Sequence, residues 1–388
     1  MQRPLGLALA LTLTATFGCQ VADDSAPANR GAGHGGSADA GTNPDLDPDA
    51  ARPSDFLEVT ALMRAGSVRV DKVRYLSDGL RVFGIICRPV DGVKRPVLVV
   101  NHGGLEGIAA SELQDGGMCV TAARNGYVVI EAGYRGEPLF PGTTTDMSEG
   151  NIEFCLGEVN DVQNLMHIVR NQPYADAERF AAFGASHGGC ITQQLVVRDP
   201  TLRAAVDFFG PSDLSVQRDW WQTQLSDGET AAICPDPATC ESVHNTLLAV
   251  AAQVTGGTPS SQPDAYAARS PNRRLDILSV PMLFIHGTDD YVVNVEQTCL
   301  KRATLTAAGL APAAWHLMDD LSPSNPPDVC QGGFNTTPAP DPTTTDPWSE
   351  QRAIVLIYRG QGHDFSPNSL ATQHAGAMAA SFLAAHLE

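Results

Sequence analysis

The stretch Arg179-Phe180-Ala181-Ala182-Phe183-Gly184-Ala185-Ser186-His187-Gly188-Gly189-Cys190-Ile191 decides how this chain is to be read. Residues 179–183 form a short run of strand character. After the glycines, Ile191, Leu195 and Val196 keep one apolar stripe at helical spacing. Between them, Gly184-x-Ser186-x-Gly188 implies a strand-to-helix turn so sharp that flanking side chains would collide, which is why glycine stands on both sides. Such a turn leaves one serine hydroxyl alone above a sheet. The pentapeptide by itself arises by chance; placed between a strand and an amphipathic helix it becomes specific.

The same grammar repeats outward. Residues 68–89 read as two extended segments around the hairpin signal Ser77-Asp78-Gly79. Residues 96–100 are a continuous apolar run, as in a strand buried on both faces, and empty into Asn101-His102-Gly103-Gly104. A helix is expected over 111–124, closed by Asn125-Gly126, then a strand over 127–130 leading to Gly133-Tyr134-Arg135-Gly136. Val159, Val162, Leu165, Met166 and Val169 recur at helical spacing, and 204–209 is strand-like up to Gly210-Pro211. Residues 281–285 form another strand, 295–308 a helix and 353–358 the last strand. Strands alternating with helices predict an α/β fold with a mostly parallel central sheet covered by helices on both faces. Residues 211–275, of mixed character, are expected as a small cap insertion. In such sheets the chemistry gathers at the carboxyl ends of the strands.

A serine hydroxyl is a poor nucleophile until a base takes its proton. Downstream, Phe284-Ile285-His286-Gly287-Thr288-Asp289-Asp290 leaves the end of one strand, and Tyr358-Arg359-Gly360-Gln361-Gly362-His363-Asp364 leaves the last one. Ser, then acid, then His along the chain is the order a nucleophile elbow requires. His363 is therefore the candidate base, with Gly362 letting its loop approach closely. Asp289 and Asp290 compete for the acid that holds the other imidazole nitrogen; the one not used would cap the following helix or face solvent.

Four blocks then resemble the catalytic domain of the prolyl oligopeptidase family, especially its acylaminoacyl- and dipeptidyl-peptidase branches. They are His102-Gly103-Gly104, Gly133-Tyr134-Arg135-Gly136, Gly184-Ala185-Ser186-His187-Gly188-Gly189 and His286-Gly287-Thr288-Asp289-Asp290-Tyr291-Val292-Val293. The resemblance runs from about residue 73 to 388 and implies the α/β-hydrolase fold. In that family the acid stands three residues after the glycine and three before a valine, which selects Asp290. The proline that often follows the valine is Asn294 here. The resemblance further implies a Ser186, Asp290, His363 triad working through a covalent acyl-enzyme, with backbone N–H groups stabilising the oxyanion. His187, next after the nucleophile, is one expected donor and Gly104 the other, with His102 bracing that loop. The family's propeller domain has no room in this chain, so substrate choice stays open. A peptidase is one reading and a carboxylesterase of the dienelactone-hydrolase or acetylxylan-esterase type another. A catalytically inactive hydrolase fold used for binding is a third, disfavoured because Ser186, Asp290 and His363 and the glycines around them are all present. An ester or peptide is the expected partner, without cofactor or metal.

The remainder sets the compartment. Met1-Gln2-Arg3 followed by an uncharged apolar run predicts a signal peptide over residues 1–18, too short for a membrane span. Thr16-Phe17-Gly18-Cys19 resembles a bacterial lipoprotein cleavage box, with Thr where Leu is more usual, so Cys19 is a candidate lipid anchor and the expected link to a membrane. Residues 19–53, rich in Ala, Gly, Asp and Pro, are expected as a disordered linker and 54–388 as the hydrolase domain. An exported protein of the cell envelope, or a secreted one, follows. The net charge of −19 argues against nucleic acid. Eight cysteines beyond Cys19, with no zinc-ligand spacing, predict disulfides. Cys234 with Cys240 is the easiest local pair, and Cys299 with Cys330 would clamp a loop-rich stretch. Trp220, Trp221 and Tyr266 would line a pocket or, the working expectation, form the cap's own core. Residues 321–347 read as a surface excursion near the mouth of the site.

Overall fold

The computed structural model describes residues 55–387 except 227–232, 235, 326–329, 331–332 and 342–350; the signal peptide, Cys19 and the linker lie outside the described residues. Among the described residues there are ten strands: β1 (Glu58–Ala65), β2 (Val68–Ser77), β3 (Leu80–Pro89), β4 (Arg95–Asn101), β5 (Val128–Ala132), β6 (Ala175–Ala185), β7 (Ala204–Phe208), β8 (Met282–Gly287), β9 (Ala313–Leu317) and β10 (Ala353–Tyr358). They form one sheet in the order β1-β2-β3-β5-β4-β6-β7-β8-β10-β9. The first three strands and the β3–β5 pair are antiparallel, and every other pair is parallel. From β2 onward this is the α/β-hydrolase order, with β9 added as a parallel edge.

Alternation along the strands builds two cores. On β4, Leu98 and Val100 join one apolar cluster while Val97 and Val99 join the other. Phe183 and Phe180 on β6, and Ile285 and Phe284 on β8, split the same way. Buried on both faces, these strands read as unbroken apolar runs because neither side meets water. The first face is covered by α1 (Met118–Arg124) and α8 (Leu370–Leu387), the second by α2 (Gly157–Arg170), α3 (His187–Arg198) and α7 (Glu296–Ala307). The helix expected over 111–124 is shorter: a 3-10 turn at Ala110–Leu113 stops, and α1 starts only at Met118. Gly116 has φ +101°, a left-handed value that ends a helix, and two consecutive glycines disfavour bridging the gap.

The chain leaves β4 toward β5 on one side, then crosses back to β6 on the other. The crevice between the carboxyl ends of β4 and β6 is thus the sheet's switch point, where ligands bind in open α/β sheets. Between β7 and β8 lies a helical insertion of α4 (Leu214–Ser226), α5 (Pro237–Thr255), α6 (Pro263–Ala268) and a 3-10 segment Pro271–Ile277. Its apolar cluster, in which Trp221 and Tyr266 are buried and Trp220 is packed at the side, is shared with Phe154, Cys155 and Cys190 of the main domain rather than being the insertion's own core. The described part of 321–347 runs along the β9 edge: Asn335 N–H donates to Ala314 O (2.8 Å) and the Trp315 indole N–H to Thr337 O (3.1 Å). That covers an edge strand that would otherwise present unpaired backbone groups.

Candidate active site

Ser186 follows β6 directly, with φ +55° and ψ −122°, a backbone region that costs a non-glycine residue about 1–3 kcal/mol. Surrounding contacts hold it there. Its N–H donates to Phe208 O on the neighbouring strand (2.9 Å), and its carbonyl accepts the N–H groups of Gly189 and Cys190. A Cβ at Gly188 would collide with the carbonyl oxygens of Asn101 and His102. The glycine thus lets the start of α3 lie against the end of β4, and the serine hydroxyl faces the switch point half exposed.

β8 and β10 pair in register, with Tyr358 opposite Gly287, so the loops that leave them emerge side by side. His363 Nε2 lies 3.0 Å from Ser186 Oγ, and His363 Nδ1 lies 2.8 Å from Asp290 Oδ2. A carboxylate only accepts, so Nδ1 carries the proton and Nε2 is left to accept the serine hydroxyl. Asp290 is buried, and its Oδ1 takes the N–H groups of Val292 (2.9 Å) and Val293 (2.8 Å). His286 Nε2 stands 3.3 Å from Asp290 Oδ2 and 2.9 Å from Val293 O, while its Nδ1 meets the Thr298 hydroxyl. Burial alone would raise the Asp290 pKa; the charge of His363 and hydrogen bonds from His286 and His363 outweigh it and hold the carboxyl well below its usual range. For His363 burial pushes down, but Asp290 and, less, Asp364 push up, and the net is a raised pKa. Asp289 stands apart: its Oδ1 accepts the Thr288 hydroxyl and its N–H donates to Gln361 O.

The helical insertion grips the turn after Asp290. Trp221 Nε1–H donates to Val292 O (2.7 Å), and Gln217 Nε2–H reaches the same oxygen (3.3 Å) while its Oε1 accepts Asn294 N–H. His244 Nε2 lies 2.7 Å from Tyr291 O. Sequence reading misses this clamp because each contact spans about 47 to 77 residues.

Opposite Ser186 lies the loop His102-Gly103-Gly104. Gly104 has φ +72°. His102 Nδ1–H donates to Gly103 O (3.0 Å), and its ring stacks on Tyr134 (4.1 Å between centroids), whose hydroxyl points to His102 O (3.4 Å). His187 opens α3, where the first backbone N–H groups have no partner within the helix. Its buried ring reaches back to the same loop, with Nδ1 3.1 Å from Gly104 O. Among the described residues no group of His, Cys, Asp and Glu side chains is arranged to hold a metal ion.

Sheet, elbow and site together define a serine hydrolase of the α/β-hydrolase fold. The similarity is to the prolyl oligopeptidase family, whose model matches residues 117–231. The uncharacterized peptidase YtmA of Bacillus subtilis (strain 168) is 24% identical over 250 residues, covering 64% of this chain and 84% of that protein. Among solved structures, the Pyrococcus horikoshii acylaminoacyl peptidase superposes with a TM-score of 0.54 at 19% identity, over 83% of this chain and 42% of the other. A puromycin-hydrolyzing peptidase of Mycobacterium tuberculosis gives a TM-score of 0.54 at 19% identity, over 84% and 41%. The chain thus spans about two fifths of these solved peptidases.

Proposed function

We propose that residues 54–388 form an exported hydrolase that cleaves peptide or ester bonds through a covalent acyl-enzyme, with the peptidase activity of its relatives as the primary reading. What supports it is the unbroken chain from Ser186 Oγ through His363 to Asp290, at 3.0 and 2.8 Å. Ser186 Oγ attacks the substrate carbonyl while His363 Nε2 takes its proton. The negative charge on the tetrahedral oxygen falls to the backbone N–H groups of His187 and Gly104, each such donor contributing about 3–4 kcal/mol. His363 then returns its proton to the leaving amine or alcohol, and water hydrolyses the acyl-enzyme by the same route. Asp290 keeps Nδ1 protonated and offsets the imidazolium charge. The test is a panel of aminoacyl 4-nitroanilides and 4-nitrophenyl esters. Anilide hydrolysis that disappears in Ser186→Ala supports the peptidase reading. Turnover of esters alone moves the assignment to a carboxylesterase, and no turnover with no fluorophosphonate labelling removes the enzyme reading.

A further inference from the structure

We propose that the imidazole of His187 is a positioning residue that fixes the oxyanion loop, and that the Cys155–Cys190 disulfide holds it in place for this task. The inference rests on the reading of Ser186 as nucleophile and concerns a side chain where that reading uses only a backbone N–H. Gly104 at φ +72° has no side chain to limit rotation of the two peptide planes that flank it. Each plane is pinned by an imidazole. His102 Nδ1–H holds Gly103 O, and because a trans peptide points its N–H opposite to its C=O, this sets the direction of Gly104 N–H. His187 Nδ1 holds Gly104 O at 3.1 Å and so sets the next plane. With both planes fixed, Gly104 N–H stays aimed.

The His187 ring is itself held on every side. It stacks on Phe154 at 4.7 Å with 5° between planes, and meets the edge of Tyr134 at 5.7 Å. Nε2 accepts the backbone N–H of Cys155 at 3.2 Å, which leaves the ring's proton on Nδ1, facing the Gly104 carbonyl. Burial keeps the ring neutral, its pKa brought down to about 4, so this tautomer persists at neutral pH. Cys155, which supplies that N–H, is bonded to Cys190 on the first turn of α3, the helix that His187 opens. The disulfide therefore links the loop that orients the ring to the helix that carries it.

The experiment uses the full chain with 4-nitrophenyl acetate as substrate and an aryl trifluoromethyl ketone as a tetrahedral-adduct inhibitor. His187→Phe keeps the stacking and removes the donor. It should lower kcat by about 10- to 100-fold, up to the loss on deleting an oxyanion donor, with KM within about twofold. Affinity for the ketone should fall in parallel with kcat. His187→Asn sets an amide N–H near where Nδ1 stood and should recover most of the loss. Where His187→Phe yields no soluble enzyme, Cys155→Ala/Cys190→Ala serves instead and should show the same separation of kcat from KM at smaller size. Unchanged kcat in His187→Phe, or equal loss in the Phe and Asn variants, overturns the proposal. Fluorophosphonate labelling that survives Ser186→Ala would instead sink the underlying reading, whatever His187 does.

Discussion

At Asp290, burial and partnership pull in opposite directions, and partnership wins. The carboxylate sits out of water yet stays ionised, because three hydrogen-bond donors and an imidazole surround it. Asp290→Asn should therefore lower kcat by about 10⁴-fold, as expected when a triad acid loses its charge and imposes the wrong imidazole tautomer. Asp289→Asn should cost less than about tenfold, since among the described residues Asp289 hydrogen-bonds the Thr288 hydroxyl and the Gln361 carbonyl and not His363. Stopped assays on the two variants decide it, and a reversed order would contradict the assignment. The same charges set the pH profile. As the proposed base, His363 would work only when neutral, and its folded pKa lies above the ordinary value near 6.5, so kcat/KM should be full above that raised pKa and be lost as pH falls through it. Exposed Asp364 contributes part of the raise. Asp364→Asn should move the acid limb to lower pH, more visibly at low salt than at high. An unmoved limb at low ionic strength, where screening is weakest, would show that Asp364 does not contribute to the raise. The residue scale is also where sequence is most legible: Ser186, Asp290 and His363 each follow an apolar run that ends in glycine-containing punctuation. The His187 ring left no such mark, because its partner Gly104 lies 83 residues away.

At the scale of elements, the insertion between β7 and β8 holds the turn that follows Asp290. Trp221 is buried in the cluster between the insertion and the Phe154–Cys155 loop and donates its indole N–H to Val292 O, in the turn that donates to Asp290. Trp221→Phe keeps most of the apolar bulk and removes that donor. It should destabilise the fold by about 0.5–1.5 kcal/mol, the net worth of one hydrogen bond, because Gln217 Nε2–H still reaches the Val292 carbonyl. It should also lower kcat several-fold through a looser Asp290 turn. Thermal denaturation and ester kinetics on one preparation check both, and a loss of stability with kcat intact would make the clamp purely architectural. Legibility follows burial here too. β4, β6, β8 and β10 announce themselves because both faces are apolar. β1 is exposed along almost its whole length, so its Glu-Val-Thr-Ala-Leu-Met-Arg-Ala carries neither alternation nor a long apolar run. β9 has five residues including a histidine, too few for a period to show. Both lie at the edges of the sheet, but only exposed β1 owes its strand form to pairing with one neighbour; β9 packs Ala314, Trp315 and Leu317 into the cores.

At the scale of the molecule, four disulfides cross-link the described residues: Cys87–Cys119, Cys155–Cys190, Cys234–Cys240 and Cys299–Cys330. Each joins sequence neighbours rather than distant parts, closing separations of 32, 35, 6 and 31 residues. The first ties β3 to α1, the second ties the Cys155 loop to α3, and the last ties α7 to the segment beside the sheet edge. Chain-entropy arguments give about 3–4 kcal/mol for each of the three longer loops and about 2 kcal/mol for the short one. Their Cα separations, 5.0 to 6.1 Å, are those of ordinary bridges. A set of four bridges is consistent with an extracellular, oxidising location. Alkylation under denaturing, non-reducing conditions should find no free thiol among these eight cysteines. Peptide mapping should return the four pairs, and reduction should lower the unfolding midpoint by well over 10 °C if several bridges open together. The decisive sample is protein taken from its own cells. Eight alkylated cysteines in that material would place the enzyme in a reducing compartment and remove the support that the bridges lend to export.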